Sequence, residues 1–432
     1  SNSRADGSLS FADVSRGEAE GGYCESHCQA AGCFVFLHLD IDKASFFRRY
    51  SRFLYWALEI TDKMIADTIA TKFDVPGRLV TLEPIGSGNV NDTYRVVLRT
   101  TFSEEQYILQ RINHSVFQNP AAVMSNMKAV TDHAHRRIQS EADKADRIWQ
   151  LPRVIQALDG NDFIVDDEGE YWRALSMIAS TTSYDKVSMP EHALEAGKVL
   201  GHFQRIISDF PIENLEDTLP GFHIAPLYLK QYDECIGGEK AKKRLDLSAE
   251  ARRLSKFVED RRDFVDVLES ALERGELCLR PIHGDPKITN VMIDTLTGKG
   301  TCIVDLDTVK PGLIHYDFGD AVRSSCNPAG EETTDLTEVV LDIELFEALI
   351  KGYLEEARGF LTESDKKYLF DSIRLISFEL GLRFFADYLA GDVYFKTTHE
   401  GQNLNRARVQ FSLCESIEAR EKTMRGILDQ YC

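Results

Sequence analysis

The chain is short of positive charge: 50 Lys and Arg stand against 70 Asp and Glu in 432 residues, a formal net charge of −20. Phosphate backbones demand a positive field, so this deficit argues against nucleic acid as a partner. A nucleotide is not excluded, because a metal ion, backbone amides and a few local cations offset its phosphates. Also missing are an apolar run of bilayer length and a basic start followed by an apolar stretch and a cleavage site, so no membrane partner is expected. The 9 cysteines are scattered, apart from Cys24, Cys28 and Cys33, and most lie in apolar runs such as TCIVD. That usage points to a reduced, cytoplasmic compartment. The spacing of the three clustered thiols and His27 fits no zinc or iron-cluster pattern. No internal repeat is present.

What the chain does contain changes texture along its length, and two or three structural units are expected. Residues 1–57 form an extension, disordered or helical, whose first 30 or so residues are rich in Ser, Gly, Ala and Glu. An apolar repeat of three and four over 46–73 predicts one or two amphipathic helices, the last of which leads into a lobe spanning 58–180. In that lobe LVTLEPI, TYRVVL and QYILQRI predict three antiparallel strands. Asn119 and Pro120 start a helix running to about Asp143, and DFIVDD and YWRALSMI predict two more strands. From 181 to 432 helices dominate: 190–208, 248–274 stopped by Gly275, 335–356, 363–390 stopped by Gly391, and 404–429. One hairpin, NVMID to TCIVD, interrupts them. The fold class is α+β: a small antiparallel sheet lobe followed by a larger, mainly helical lobe, the order of a two-lobed protein-kinase-like fold.

The stretch IHGDPKITN, 282–290, carries the strongest chemical signal. A strand-like entry and the small Gly284 let the chain turn so that Asp285 projects into a cleft, with Asn290 five residues on. That is the spacing of a kinase catalytic loop, in which the aspartate receives the acceptor hydroxyl proton and the asparagine holds magnesium. A second metal ligand belongs at the end of a following strand, where TCIVD delivers Asp305; Asp307 faces the same way and competes for the role. Upstream, Gly86, Ser87, Gly88, Asn89 and Asn91 lie between two predicted strands, where glycines permit backbone amides to approach phosphates. The link between the lobes, near Ser176, Met177, Ile178 and Ala179, is the place for an adenine ring.

IHGDPKITN followed by IVDLDTVKPGLIHYDFGDAVR resembles the aminoglycoside phosphotransferase family of kinase-like enzymes over about 79–430. YILQRINHSVFQNP, LPGFHIAP and LISFELGLRFFADYLAGDVYFKT are similar to the branch that contains the N-acetylhexosamine 1-kinases. The resemblance implies Asp285 as base, Asn290 and Asp305 as Mg2+ ligands, ATP as co-substrate, and Asp285, Thr308, Arg383 and Tyr394 as contacts of the sugar. Arg383 lies in a long apolar helix and needs a partner, with Glu379 and Asp387 each four residues away.

There is one departure from the kinase pattern. Where a lysine is usual on the third strand, YILQRI has Gln110 with Arg111 beside it, and the charge pair with a helix glutamate looks absent; Asn126 or Lys128 on the next helix are the candidates to replace it. The expected activity is transfer of the γ-phosphoryl group of ATP to the anomeric hydroxyl of N-acetylglucosamine or N-acetylgalactosamine. The alternatives are a kinase of another small alcohol, such as an aminoglycoside, choline or homoserine, and a nucleotide-binding pseudokinase. A monomer is favoured.

Overall fold

The computed structural model describes residues 64–85, 90–141 and 147–432, all within one compact unit that spans Thr61–Cys432. The 1–57 extension and the glycine-rich residues 86–89 fall outside the described residues, as does most of the helical pattern at 46–73, of which 64–70 is described as helix α1.

Three strands follow α1 as a meander: β1 Arg78–Pro84, β2 Asp92–Arg99 and β3 Glu104–Ile112, paired antiparallel in that order. Their apolar residues alternate, so Leu82, Val96, Leu98, Tyr107 and Leu109 share one buried layer with Ile69 and Phe73 behind them. Short strands β4 Val154–Ile155 and β5 Ile164–Val165 and the longer β6 Tyr171–Ser176 complete the sheet, in the order β1-β2-β3-β6-β4 with β5 on β6. Of the strand expected over DFIVDD only two residues pair, because the turn at Asp166–Gly169 closes immediately after them. Helix α2, Pro120–Glu141, starts where expected: the Asn119 side chain accepts from the Ala122 amide at 3.2 Å and proline takes the first position.

Beyond β6 the chain crosses to the helical lobe through 177–180. Strand β7 Thr181–Thr182 there adds to the expected hairpin of β9 Val291–Asp294 and β10 Gly300–Ile303. A further pair, β8 Arg280–Ile282 with β11 Lys310–Gly312, brackets that hairpin in the chain.

The helices are α3 Pro190–Ile207, α4 Ala225–Ile236, α5 Glu239–Leu247, α6 Ala249–Glu259, α7 Val267–Glu273, α8 Ile314–Ser325, α9 Ile343–Ala357, α10 Glu363–Lys367, α11 Leu369–Ala390, α12 Gln402–Ala419 and α13 Glu421–Tyr431. Three expected long helices are each two: 248–274 divides around the 3-10 turn Arg262–Phe264, 363–390 breaks at Tyr368, and 404–429 at Arg420. Helix α3 crosses α9 with backbone almost touching backbone, since a Cβ on Gly197 or Gly352 would strike the Leu349 or Leu194 carbonyl. Helix α11 is apolar nearly all round because α4, α8 and α12 cover it, with Leu375, Phe378, Leu382 and Phe385 inside. Among the described residues no helix is long and apolar enough to cross a membrane.

Candidate active site

Everything at the site hangs on the turn that follows β8. Its backbone is held from below by Asp317 on α8, fully buried, whose two carboxylate oxygens accept from the His283 amide at 2.8 Å and the Gly284 amide at 2.8 Å. Gly284 has φ +87°, and a Cβ there would lie 2.7 Å from the Thr308 carbonyl oxygen. Gly284→Ala is therefore expected to cost about 1–3 kcal/mol through the left-handed backbone alone, read as a lower denaturant midpoint.

His283 locks the turn to the hairpin. Its Nε2 donates to the Val304 carbonyl at 3.0 Å and its Nδ1 accepts from the Asp285 amide at 3.2 Å, which defines a neutral tautomer. Burial lowers its pKa, in keeping with that state. The Val304 amide in turn donates to the Asn290 carbonyl at 2.9 Å. Val304 is thus tied on both sides to the catalytic-type loop, and Asp305 is delivered beside it.

Asp285 is half-buried. Its Oδ2 lies 2.6 Å from the Lys287 ammonium, and the Asn290 Nδ2 donates to the Asp285 carbonyl at 2.7 Å. That leaves the Asn290 Oδ1 for a metal ion. The pKa of Lys287 is raised, first by the charge of Asp285. Lys287 has a sequence signal, its place two residues after Asp285, that the reading of the motif passed over.

Asp305 and Asp307, indistinguishable by alternation, have different surroundings. Asp305 adopts φ 68° and ψ 61°, a conformation uncommon for any residue but glycine. Its carboxyl is reached by solvent yet ringed by protein, and its pKa is raised to about 7, first by desolvation and then by the Asp307 and Asp285 carboxylates. Asp307 is buried and paired: the Arg173 guanidinium forms an ion pair with Oδ1, which accepts no hydrogen bond among the described residues, and the Asn91 side chain donates to Oδ2. Of the two, Asp305 is the one that solvent reaches.

Among the described residues no three His, Cys, Asp or Glu side chains enclose a metal by themselves. The oxygens of Asp305 and Asn290 instead suit a hard divalent ion completed by phosphate and water, the habit of Mg2+ in phosphoryl-transfer sites. Asp305, its pKa raised to about 7 with the Asp307 and Asp285 carboxylates in range, is a donor that such an ion would stabilise.

Several expectations about side chains change. Gln110 is taken up within the sheet: its Oε1 accepts from Arg173 Nε and Nη2 at 2.9 and 2.7 Å, and its Nε2 donates to Thr93 at 3.0 Å. The side chain of Asn91 is likewise committed, to Asp307 and to the Asn113 amide. Neither candidate replacement for the kinase lysine pair stands. Lys128 makes an exposed pair with Asp132, and Asn126 staples α2 to the carbonyls of Glu216 and Val309 at 2.8 and 2.9 Å. Residue types on α2 could not reveal the actual partner, Arg173, which comes from β6, directly opposite Gln110. At the link between lobes the Ser176 amide and hydroxyl both bond Arg153, and the Ile178 carbonyl accepts from Thr181.

Among the residues that the resemblance makes acceptor contacts, Thr308 donates to the His283 carbonyl at 2.7 Å, so its proton is committed to the turn. Among the described residues Arg383 has a distant ion pair, 3.9 Å to Glu379, and a side-chain hydrogen bond with Tyr394. Its guanidinium sits over Phe222, Tyr228 and Phe395 at 5.2, 4.9 and 5.6 Å from the ring centroids. Asp387 is not its partner. That carboxylate accepts from the amides of Val393, Tyr394 and Phe395 and from Asn403, closing the end of α11. Tyr394 is thereby held at its backbone while the residue stays 67% exposed.

His223, unnoticed in LPGFHIAP, joins the two sides: it lies 2.8 Å from the Gly284 carbonyl through Nε2 and 3.2 Å from Glu379 through Nδ1. Both partners are acceptors, so both nitrogens donate. Burial opposes the charge, but the Glu379 contact prevails and its pKa is raised.

A sheet lobe joined through one short link to a helical lobe, with Asp285, Lys287, Asn290 and Asp305 gathered where the helical lobe's hairpin meets its loop, defines a kinase-like phosphotransferase fold. Residues 81–360 match the phosphotransferase enzyme family APH, and the chain belongs to that family. Its fold is similar to a microcompartment-associated aminopropanol kinase, at 17% identity and TM-score 0.54 over 84% of this chain and 98% of that one. It is also similar to choline kinase from Cryptosporidium parvum Iowa II, at 14% identity and TM-score 0.53 over 85% and 98%.

Proposed function

We propose that this chain is an ATP- and Mg2+-dependent kinase of a small alcohol, with the anomeric hydroxyl of N-acetylglucosamine or N-acetylgalactosamine as the favoured acceptor. The observation that carries the kinase reading is the double tie of Val304 to Asn290 and His283, which brings the solvent-reached carboxylate of Asp305 beside Asp285. In this reading Asp285 orients the acceptor hydroxyl and takes its proton, Lys287 supplies a cation beside it, and Asn290 and Asp305 hold Mg2+. The bound Mg2+ supplies charge neutralisation on the phosphates. The adenine lies against the link at 177–179. Among the described residues no side chain near Asp285 is arranged as a nucleophile with its own base, which favours direct in-line transfer.

Arg383 supports an uncharged acceptor. Aromatic cages attract cationic groups, and the cage of Phe222, Tyr228 and Phe395 is already filled by the chain's own guanidinium. A guanidinium with rings on its faces still presents N–H donors at its edge, which suit a sugar hydroxyl or an N-acetyl carbonyl.

The competing reading is an amino-alcohol acceptor. It rests on Asp320 Oδ2 and Glu379 Oε2, two buried carboxylate oxygens with no hydrogen-bond partner among the described residues, which an ammonium could meet. An acceptor panel followed by ADP release separates the two. N-acetylhexosamines are expected to turn over, with the phosphorus NMR spectrum of the product showing a 1-phosphate. Turnover of choline, aminopropanol or kanamycin with none of the N-acetylhexosamines would overturn the sugar assignment.

A further inference from the structure

Buried arginines are rare unless paired, and Arg173 is the largest cation in the core: it has no exposed surface, yet lies in the sheet lobe. Its register explains how the charge is held. Thr93, Gln110 and Arg173 are cross-strand neighbours on β2, β3 and β6, and Gln110 passes hydrogen bonds both ways along the row. The remaining guanidinium nitrogen crosses to the helical lobe and pairs with Asp307. Asp307 in turn receives Asn91, which follows directly on the glycine-rich segment and is itself fixed by the Asn113 amide. Asp307 also sits two residues after Asp305, in the tight turn Leu306–Thr308 that Asp305 leads into.

We propose that Arg173 is a positioning residue for the nucleotide and metal: through Asp307 it latches the sheet lobe to the turn that carries Asp305, taking over the structural part of the charge pair that YILQRI lacks. The inference rests on the kinase reading above. Arg173 is enclosed, so it does not touch phosphate. It acts by fixing two things relative to one another, the exit of the glycine-rich segment through Asn91 and the left-handed backbone at Asp305. The phosphate-facing cation is then left to the loop itself, where Lys287 stands beside Asp285. Gln110 has a matching role, since its carbonyl oxygen orients the guanidinium fork and a lysine at its place would face Arg173 with a like charge.

The test uses the full chain, with MgATP binding measured by titration calorimetry beside thermal melting and steady-state kinetics. A buried ion pair replaced by apolar residues of similar volume commonly folds as well as the original, so R173M/D307L removes the latch without stranding a charge. The expected result is a folded protein whose MgATP dissociation constant is weaker by about tenfold or more, with KM for the alcohol acceptor within about twofold of the wild type. R173K, which keeps the charge and loses the fork, covers the case in which the double variant does not fold, and is expected to weaken MgATP by about threefold or more at unchanged acceptor KM. A folded variant that binds MgATP within twofold of the wild type overturns the latch, as does an equal loss toward nucleotide and acceptor. Failure of the wild type to bind MgATP overturns the kinase reading and the latch with it.

Discussion

Asp285→Asn is expected to lower phosphoryl transfer by about 10²–10⁴-fold, the usual contribution of a positioned general base. The substitution keeps the size and planarity of the side chain. It removes the basicity needed to take the acceptor proton and the negative charge that faces Lys287 at 2.6 Å. The loop itself should survive, since it is built from contacts that do not use the Asp285 carboxylate: Asp317 to two amides, His283 to Val304, and Asn290 to the Asp285 carbonyl. MgATP binding should therefore change little. ADP release with the best acceptor and calorimetry with MgATP check the two halves of the prediction, and turnover close to the wild type would remove Asp285 from the role of base.

Asp317→Ala should have the largest effect on stability. It strands the amides of His283 and Gly284 in a part of the molecule where both residues are fully or nearly fully buried, and it takes a partner from Gln204. Each orphaned buried donor costs about 1–3 kcal/mol, so about 2–6 kcal/mol is expected. The loss lands on the turn that aims Asp285, so activity should fall even in the fraction that remains folded. Denaturant unfolding measures the first effect and specific activity per folded molecule the second. A stability loss under about 1 kcal/mol with full activity would mean that water or a neighbouring group replaces the carboxylate.

The legible parts of the fold were those with a local cause. Alternation predicts the β1–β3 meander, the Asn119–Pro120 pair predicts the start of α2, and Gly275 and Gly391 mark helix ends at φ 72° and 110°. Helix breaks at Tyr368 and Arg420 escaped the same reading, because neither residue is a breaker and the chain turns there to bring successive helices against α11. HYDFGDAVR read as a motif segment, and its folding as α8 with Asp317 beneath the catalytic-type turn was invisible for a similar reason: the aspartate's partners are backbone amides more than 30 residues away.

By itself the sequence determined the order of the lobes and made Asp285, Asn290 and the Asp305/Asp307 pair the candidates, because a loop and a strand end are short-range objects whose residues lie within a few positions of one another. Only the tertiary structure gave Asp305 and Asp307 different surroundings, assigned Gln110 to Arg173, and set Arg383 among aromatic rings. Those outcomes depend on contacts across β2, β3, β6 and the helical lobe, and on burial, which takes a carboxylate out of solvent only once its partner arrives from a distant strand.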